Sequence, residues 1–330
     1  MVRFPRMSHL PQTGQKLSDK VRAIISTLGQ PPEIEWLRTG IHAFDLMVGD
    51  GIPYGRIIEI YGDESTGKSL LALEIAKAVQ RENGVVVLFD TEATAPRKFM
   101  TRVGVNVDDI IHRKPETIEE LKSDFIAIDS AFAKADPDLK ICYIHDSVAA
   151  TPSKGELEWD KKLKEWVPRD VEMGARARAM SMLCRHICQR ISRRKAIYIA
   201  VNQVRDKIGV MFGEKTTTPG GRALRFHSSV RVQLNRGRKL MGSDQKYQGV
   251  MCNVFIKKNK VSEPFRKAPL AILWKKGFDE YSGLSDLLQE QGRIQIADGK
   301  PGWFKYRKLR FRSKNLPMIL SKRPELLEPF

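Results

Sequence analysis

The sequence lacks the long apolar runs of a membrane protein. No stretch of eighteen apolar residues occurs in the 330 residues, and the N-terminus lacks the apolar segment of a signal peptide. We therefore expect a soluble, cytoplasmic protein with no membrane partner.

Cysteine is scarce, and its spacing excludes the common paired motifs. The four cysteines, Cys142, Cys184, Cys188 and Cys252, form no C-x-x-C pair. Cys184 and Cys188 lie one turn apart in a helical pattern that also holds His186, but a zinc site needs four ligands at recognisable spacing. A buried or neutral helix face is the better interpretation, and reduced thiols fit a cytoplasmic protein.

Acidic residues are too few to balance the basic ones. The chain has 39 Asp and Glu against 57 Lys and Arg, a net charge of +18. Such an excess favours a polyanionic partner, above all nucleic acid. No internal repeat or low-complexity tract occurs, and the length suits one main domain with terminal additions.

A phosphate-binding loop is the strongest motif in the chain. The β-branched run Ile57–Tyr61 leads into G-x-x-x-x-G-K-S and then into a helical pattern. In such a loop, glycines let successive N–H groups face one anion, and the following helix directs its positive end at the same point. We expect Lys68 to reach the β and γ phosphates and Ser69 to hold Mg²⁺. The predicted nucleotide-binding residues are Gly62, Asp63, Glu64, Ser65, Thr66, Gly67, Lys68, Ser69 and Leu70.

Short apolar runs alternate with helical patterns through the middle of the chain, which predicts an α/β fold with a mostly parallel sheet. Three later runs with no helix between them should extend this sheet as antiparallel hairpins. The predicted parallel strands lie at 57–61, 85–90, 141–146 and 196–201, the predicted helices at 18–28, 39–49, 117–134 and 171–192, and the later runs at 230–234, 250–256 and 270–274.

Polar residues follow the predicted parallel strands, where ligands of open α/β sheets bind. Asp146 ends an apolar strand and could hold a metal-bound water near the phosphates, although an Asp that caps a helix is the alternative. Glu92 could deprotonate a water in line with the γ-phosphate, or it could be a surface acid. Gln203 could hydrogen-bond the γ-phosphate and precedes a Gly-rich loop, so it is a candidate switch.

Several stretches together resemble the bacterial RecA recombinase family. They are the phosphate loop, Asp146–Ala150, and above all the residues 202–213 and 216–224, which read NQVRDKIGVMFG and TTTPGGRAL. The resemblance runs from about Thr39 to Tyr281. The chain lacks the strongly acidic tail common in cellular members, so we expect a divergent member, such as one from a phage or another mobile element.

The resemblance implies a RecA-like P-loop ATPase core, with a small N-terminal polymerisation helix and a small C-terminal α+β domain. The domains would be 1–35, 36–278 and 279–330, with DNA loops near 153–173 and 204–222. It further implies an enzyme, a DNA-dependent ATPase that uses ATP and Mg²⁺. Such a recombinase forms filaments of itself on single-stranded DNA and pairs that strand with homologous double-stranded DNA.

Roles carried over by the resemblance fall on matching residues. Glu92, Lys68 and Gln203 match catalytic positions, and Ser69 and Asp146 match the Mg²⁺ positions.

Phe99 stands where the family has a tyrosine against the adenine, and Pro96 replaces an aspartate near the base. Lys258 and Lys260 match a pair that reaches the ATP of the neighbouring subunit, although alone they would be interpreted as a solvated basic turn. The DNA-binding residues would be Met173, Gly174, Arg178, Arg185, Arg205, Lys207, Ile208, Gly220, Gly221 and Arg222.

Two alternatives stay open beside this hypothesis. A hexameric RecA-fold motor, such as a helicase, would share the phosphate loop but gives no reason for the long second-loop match. A non-catalytic DNA-binding paralogue would not need the intact set of site residues.

The first loop departs from the family pattern, since it carries Trp159, Trp166 and the basic run 161–164. The segment 303–312 interleaves aromatic rings with cations.

Overall fold

The computed structural model describes residues 33–92, 96–160, 165–168, 174–206, 216–300 and 302–328. The predicted N-terminal helix at 18–28 lies outside these residues, as do Met173, Lys207 and Ile208. The strands are β1 (Trp36–Leu37), β2 (Ile52–Pro53), β3 (Arg56–Gly62), β4 (Val85–Asp90), β5 (Ile110–Arg113), β6 (Ile141–Asp146), β7 (Leu157–Asp160), β8 (Glu165–Pro168), β9 (Ala196–Gln203), β10 (Arg205–Asp206), β11 (Thr216–Thr217), β12 (Val230–Met241), β13 (Tyr247–Asn259), β14 (Lys267–Leu273), β15 (Gly277–Phe278), β16 (Gln295–Ile296), β17 (Trp303–Tyr306) and β18 (Leu309–Arg312). The helices are α1 (His42–Val48), α2 (Lys68–Arg81), α3 (Arg97–Val103), α4 (Ile118–Ala135), α5 (Ala175–Ile191), α6 (Gly221–His227), α7 (Leu284–Glu290) and α8 (Leu316–Lys322).

A nine-stranded sheet forms the centre of the fold, in the order β15-β14-β13-β12-β3-β9-β6-β4-β5. The strands from β12 to β5 are parallel to one another, while β13, β14 and β15 add antiparallel pairs. The predicted mostly parallel sheet is therefore confirmed. The three later runs are strands, but the first of them, β12, joins β3 in parallel before the antiparallel hairpins begin.

The central parallel strands are apolar because both of their faces are covered. β6 is buried along its whole length, and so is β9 up to Gln203. One face packs in a core that includes residues of α1, α2 and α7, and the other packs against α4 and α5. The helix that was predicted at 117–134 runs from Ile118 to Ala135, and its N-cap is Thr117, whose hydroxyl accepts from the Glu120 N–H at 3.2 Å.

The first predicted DNA loop contains a hairpin that the sequence analysis did not anticipate. β7 pairs with β8 in antiparallel register, with Trp159 opposite Trp166. The basic run 161–164 connects these strands and lies outside the described residues.

A separate three-stranded sheet, β16-β17-β18, follows the main sheet. Phe304 and Phe311 are buried there, while the Trp303 ring has the guanidinium carbons of Arg310 and Arg312 over it at 4.7 and 4.6 Å. No helix in the described part of the chain is long and apolar enough to cross a membrane.

A buried charge cluster ties α4 to α5 and to the sheet. Asp129 is 2% exposed and accepts from Arg190 at 3.0 Å, from Arg194 at 3.4 Å and from the Tyr143 hydroxyl at 3.1 Å. Because so many donors converge on one carboxylate, removing it would leave buried donors without an acceptor.

We expect Asp129→Ala to lower the free energy of unfolding by about 3–5 kcal/mol, because a buried ion pair loses one partner. Urea unfolding at an unchanged m-value measures this loss. Asp124→Ala on the same helix is the control, since its carboxylate pairs with Arg113 at the surface and its loss should stay below about 1 kcal/mol. Equal losses in the two variants would contradict the assignment.

Candidate nucleotide site and nucleic-acid interface

The register of the parallel strands brings the predicted polar residues to one edge of the sheet. Gly62 at the end of β3 lies opposite Gln203 at the end of β9. Asp146 at the end of β6 lies opposite Asp90 at the end of β4. Four segments that are distant in sequence therefore end side by side, as expected for a site at the carboxyl edge of an open α/β sheet.

The loop between β3 and α2 has the conformation of an anion-binding turn. Gly67 is the N-cap of α2 at a φ of +94°, and no side chain caps the helix there. The first N–H groups of α2 are consequently available to an anion, and the helix dipole favours negative charge at that end. Inside the loop, the Asp63 carbonyl accepts from the Thr66 hydroxyl at 2.9 Å and from the Lys68 ammonium at 2.6 Å.

Neighbouring strands support this loop from behind. A Cβ atom on Gly62 would lie 2.1 Å from the Leu234 carbonyl oxygen of β12, so only glycine allows this approach. The Arg236 guanidinium donates to the Glu64 carbonyl at 3.0 Å, and the Cys252 thiol donates to the Thr66 carbonyl at 3.3 Å. A cleft of about 490 Å³ opens beside the loop, lined by Gly62, Asp63, Glu64, Gln203, Val204 and Arg236.

Burial shifts the pKa values of two charged residues in the site, Lys68 and Asp146. Burial lowers the pKa of Lys68, against the opposing effect of nearby carboxylates of which Asp146 and Glu92 are the strongest. Burial also raises the pKa of Asp146 to about 6, although a hydrogen bond from Ser69 acts in the other direction. The carboxylates of Glu92 and Asp90 contribute to the rise in this pKa, after burial.

The oxygen atoms of Ser69 and Asp146 suit a small hard cation. Mg²⁺ prefers oxygen donors, and it often uses one or two carboxylates together with phosphate and water. Within the described ranges no group of three or more His, Cys, Asp and Glu residues could hold a metal ion. The residues present thus fit Mg²⁺ that arrives with a nucleotide better than an independent metal centre.

Two donors share one oxygen of Glu92. The Ser147 hydroxyl donates to Glu92 Oε1, and Gln203 Nε2 donates to the same atom at 3.1 Å. The peptide bond between Asp146 and Ser147 is cis. Glu92 is therefore held between the end of β6 and the end of β9, next to the phosphate loop.

The two lysines that were predicted to contact a neighbouring subunit lie at the C-terminal end of α6. The Lys258 ammonium donates to the carbonyls of Arg225 and Phe226 at 2.5 and 3.1 Å, and Lys260 donates to the Phe226 carbonyl at 3.0 Å. Burial, with the charges of Lys260 and Arg231, lowers the pKa of Lys258 to about 8. They are thus positioned as helix-terminal cations rather than as a freely solvated turn.

The described parts of the two predicted DNA loops converge. Gly174 is the N-cap of α5, and Gly220 is the N-cap of α6. A Cβ atom on Gly221 would lie 3.0 Å from the Ala177 Cβ, so the first turns of the two helices are in close contact. The exposed arginines here are Arg178, Arg205 and Arg222. Arg185 is also exposed, but it lies about three turns into α5, where its charge acts on His227 at the C-terminal end of α6.

Comparison with known proteins identifies the family. The family model described as RecA N-terminal domain matches residues 19–279. The chain is 37% identical over 275 residues to Protein RecA of Chlamydia pneumoniae, covering 83% of this chain and 73% of that protein. It is 35% identical over 312 residues to Protein RecA of Thermus thermophilus, covering 93% and 87%, and 34% identical over 298 residues to that of Clostridium tetani, covering 89% and 80%.

The chain belongs to the RecA family. The resemblance stated from the sequence is therefore confirmed, and the identity of about a third fits a divergent RecA-family member. Phe99, predicted to lie against the adenine, is on α3 and is partly buried against the hydrophobic core.

Sequence reasoning missed several contacts of this RecA-family site. Arg236 supports the phosphate loop from an ordinary strand position, and no local pattern distinguishes it. Glu59 could have been found from the sequence, because it is an acid within an apolar strand. In the structure it is fully buried. It accepts from Arg231 and from Asn202, and Asn202 also donates to the Pro219 carbonyl at 3.1 Å, at the end of the second loop.

We expect Gly62→Ala to weaken binding of a fluorescent ATP analogue by about tenfold or more, since the added methyl group meets backbone and the loop must shift. Fluorescence titration measures this affinity. In the control Gly292→Ala, nothing lies within 4 Å of the added Cβ, and the positive φ of +68° makes the change a cost in stability rather than in nucleotide affinity, which should stay unchanged. Wild-type affinity in Gly62→Ala would show that the close approach does not shape the site.

Proposed function

We propose that this RecA-family chain is an ATP-dependent homologous recombinase of the bacterial cytoplasm. It forms filaments of itself on single-stranded DNA, hydrolyses ATP in a DNA-stimulated reaction, and pairs the bound strand with homologous duplex DNA. The observation that carries the proposal is the hydrogen bond from Gln203 to Glu92, because it joins a candidate catalytic carboxylate to the residue before the second predicted DNA loop.

The proposal assigns ATP to the phosphate loop. The N–H groups of the loop and of the first turn of α2 bind the phosphates, together with Lys68, whose ammonium exchanges the Asp63 carbonyl for a phosphate oxygen. Ser69 and Asp146 would hold Mg²⁺, which would supply positive charge beside the phosphates. Phe99 contacts the adenine.

Glu92 acts as the general base in this scheme. Its carboxylate accepts the proton of the attacking water, and Ser147 orients it through the hydrogen bond to Oε1. A γ-phosphate beside Gln203 competes for the same amide N–H that now reaches Glu92. Movement of this amide links the nucleotide state to Val204 and to the loop behind it.

The proposed DNA interface combines charge with exposed backbone. The exposed arginines on α5, α6 and β10 supply cations for phosphates, and the glycine N-caps of α5 and α6 present N–H groups without side-chain caps. The net charge of +18 gives the long-range attraction.

Self-association completes the proposed assembly. Residues 1–35 form the contact arm, 36–278 the ATPase core and 279–330 the basic C-terminal domain. Lys258 and Lys260 reach the nucleotide of the neighbouring subunit, which requires them to leave the Arg225 and Phe226 carbonyls.

The test is ATP hydrolysis by purified protein with and without single-stranded DNA at two salt concentrations. We expect strong stimulation by DNA that weakens as salt rises, because phosphate contacts release counterions. Glu92→Gln should abolish hydrolysis while it retains nucleotide binding. Gln203→Ala should lose most of the stimulation, whereas Gln295→Ala, at an exposed strand position, should behave as wild type. A rate that does not respond to DNA would contradict the proposal.

The raised pKa of Asp146 generates a pH prediction. A carboxyl group with a pKa of about 6 must lose its proton to hold Mg²⁺, so affinity for the Mg²⁺-nucleotide should fall below about pH 6, by up to tenfold per pH unit. Asp146→Asn should bind the Mg²⁺-nucleotide more weakly, and its affinity should not show the pH dependence that comes from Asp146. The pH dependence that comes from protonation of the nucleotide itself is the same for both proteins. If the plot of affinity against pH for the wild type runs parallel to that for Asp146→Asn from pH 5 to about pH 7, Asp146 does not titrate on binding and the prediction is wrong.

A further inference from the structure

A buried chain of hydrogen bonds runs behind the candidate catalytic carboxylate. The Tyr198 hydroxyl lies 3.2 Å from His145 Nδ1, and His145 Nε2 lies 2.7 Å from the Thr151 hydroxyl. The Thr151 hydroxyl is within 3.1 Å of the Thr91 hydroxyl and 2.9 Å of the Ser147 carbonyl. His145 and Thr151 are fully buried, and Tyr198 and Ser147 are 1% exposed.

Every hydrogen bond of this chain can donate in the same direction, from Tyr198 towards Thr91. Both ring nitrogens of the fully buried His145 have a hydroxyl partner, and in a neutral imidazole one nitrogen accepts while the other donates. Tyr198 then donates to Nδ1, Nε2–H donates to Thr151, and the single Thr151 proton is shared between the Thr91 hydroxyl and the Ser147 carbonyl. A chain of this kind orients each hydroxyl through the next.

One end of the chain fixes Ser147. The Ser147 N–H donates to the Thr91 hydroxyl at 2.9 Å, and that hydroxyl donates to the Ser147 carbonyl at 3.0 Å. Both backbone groups of Ser147 are thus held by one side chain. The Ser147 hydroxyl, which this backbone carries, donates to Glu92.

The middle member of the chain, Thr151, lies two residues before the first predicted DNA loop. After Thr151, the Pro152 carbonyl accepts from the Ile118 N–H at 2.9 Å, and the Ser153 N–H donates to Glu156 at 2.7 Å. Glu156 pairs with Arg176, on the first turn of α5, at 3.0 Å. Arg176 lies between Gly174 and Arg178, two of the residues that are assigned to DNA.

We propose that Thr151 is a positioning residue for ATP hydrolysis, which links the first DNA loop to Glu92 through Thr91 and Ser147. This inference rests on the proposed function, in which Glu92 is the general base and the first loop contacts DNA. A shift of the segment 152–156 on DNA binding moves the Thr151 hydroxyl, and Thr91 transmits that shift to Ser147. The link is separate from the one through Gln203, because it enters Glu92 from β6.

The test compares the ratio of DNA-stimulated to DNA-free kcat among variants. Thr151→Val keeps the side-chain shape but removes the hydroxyl, and we expect the ratio to fall about threefold to tenfold with an unchanged KM for ATP. Thr151→Ser retains the hydroxyl and should keep most of the ratio. In a Ser147→Ala background, Thr151→Val should have no further effect, since the chain is already interrupted.

Thr39→Val is the matched control for stability. Thr39 is 2% exposed and its hydroxyl donates to Asp45 at 2.7 Å, away from the site, so this variant loses a comparable buried bond. It should lower thermal stability but keep the wild-type ratio.

Three results would overturn the inference while leaving the proposed function in place. They are a wild-type ratio in Thr151→Val, an equal fall in Thr39→Val, and additive effects of Thr151→Val and Ser147→Ala. Absence of DNA stimulation in the wild type, or full hydrolysis by Glu92→Gln, would instead overturn the proposed function and this inference with it.

Discussion

The parallel pairing of β3, β9, β6 and β4 is the constraint on which the candidate site depends. Its backbone register sets Gly62 beside Gln203 and Asp146 beside Asp90 before any side chain contributes. β12 then closes on the other side of β3 so tightly that position 62 cannot carry a Cβ atom. The positions of the loop, of the Asp146 carboxylate and of the shared Glu92 oxygen all depend on this sheet.

Under the proposed function, one oxygen of Glu92 is where two parts of the protein meet. Gln203 approaches it from β9 and precedes the second loop, and Ser147 approaches it from β6 and leads into the first. The first turns of α5 and α6, which follow these loops, contact each other at Gly221 and Ala177. A strand of DNA bound across both helices would therefore act on the same carboxylate from two directions.

Local patterns made much of the fold and of the phosphate loop predictable. The buried strands are continuous apolar runs, and Thr117 is a side-chain N-cap with a clear sequence signal. β5 was missed because it is short and its last residues are polar, and the β7–β8 hairpin was missed because its residues resembled a loop. The strand order, the support of the loop by Arg236 and the engagement of Lys258 with α6 depend on tertiary contacts that no local pattern encodes.

Two buried tyrosines on the same face of the sheet, Tyr143 and Tyr198, begin hydrogen-bond networks that end on different groups. Tyr143 donates to Asp129, whose other partners are arginines of α5 and its C-terminal turn, so that cluster fastens a helix layer and its loss is a loss of stability. Tyr198 instead contacts His145, and the chain continues through threonines to the backbone of Ser147. Apolar side chains could fill the space of His145 and Thr151 without the desolvation cost of buried polar groups. They could not supply the Thr151 hydroxyl, which contacts both the Thr91 hydroxyl and the Ser147 carbonyl, and this end point is what separates a positioning chain from a structural one.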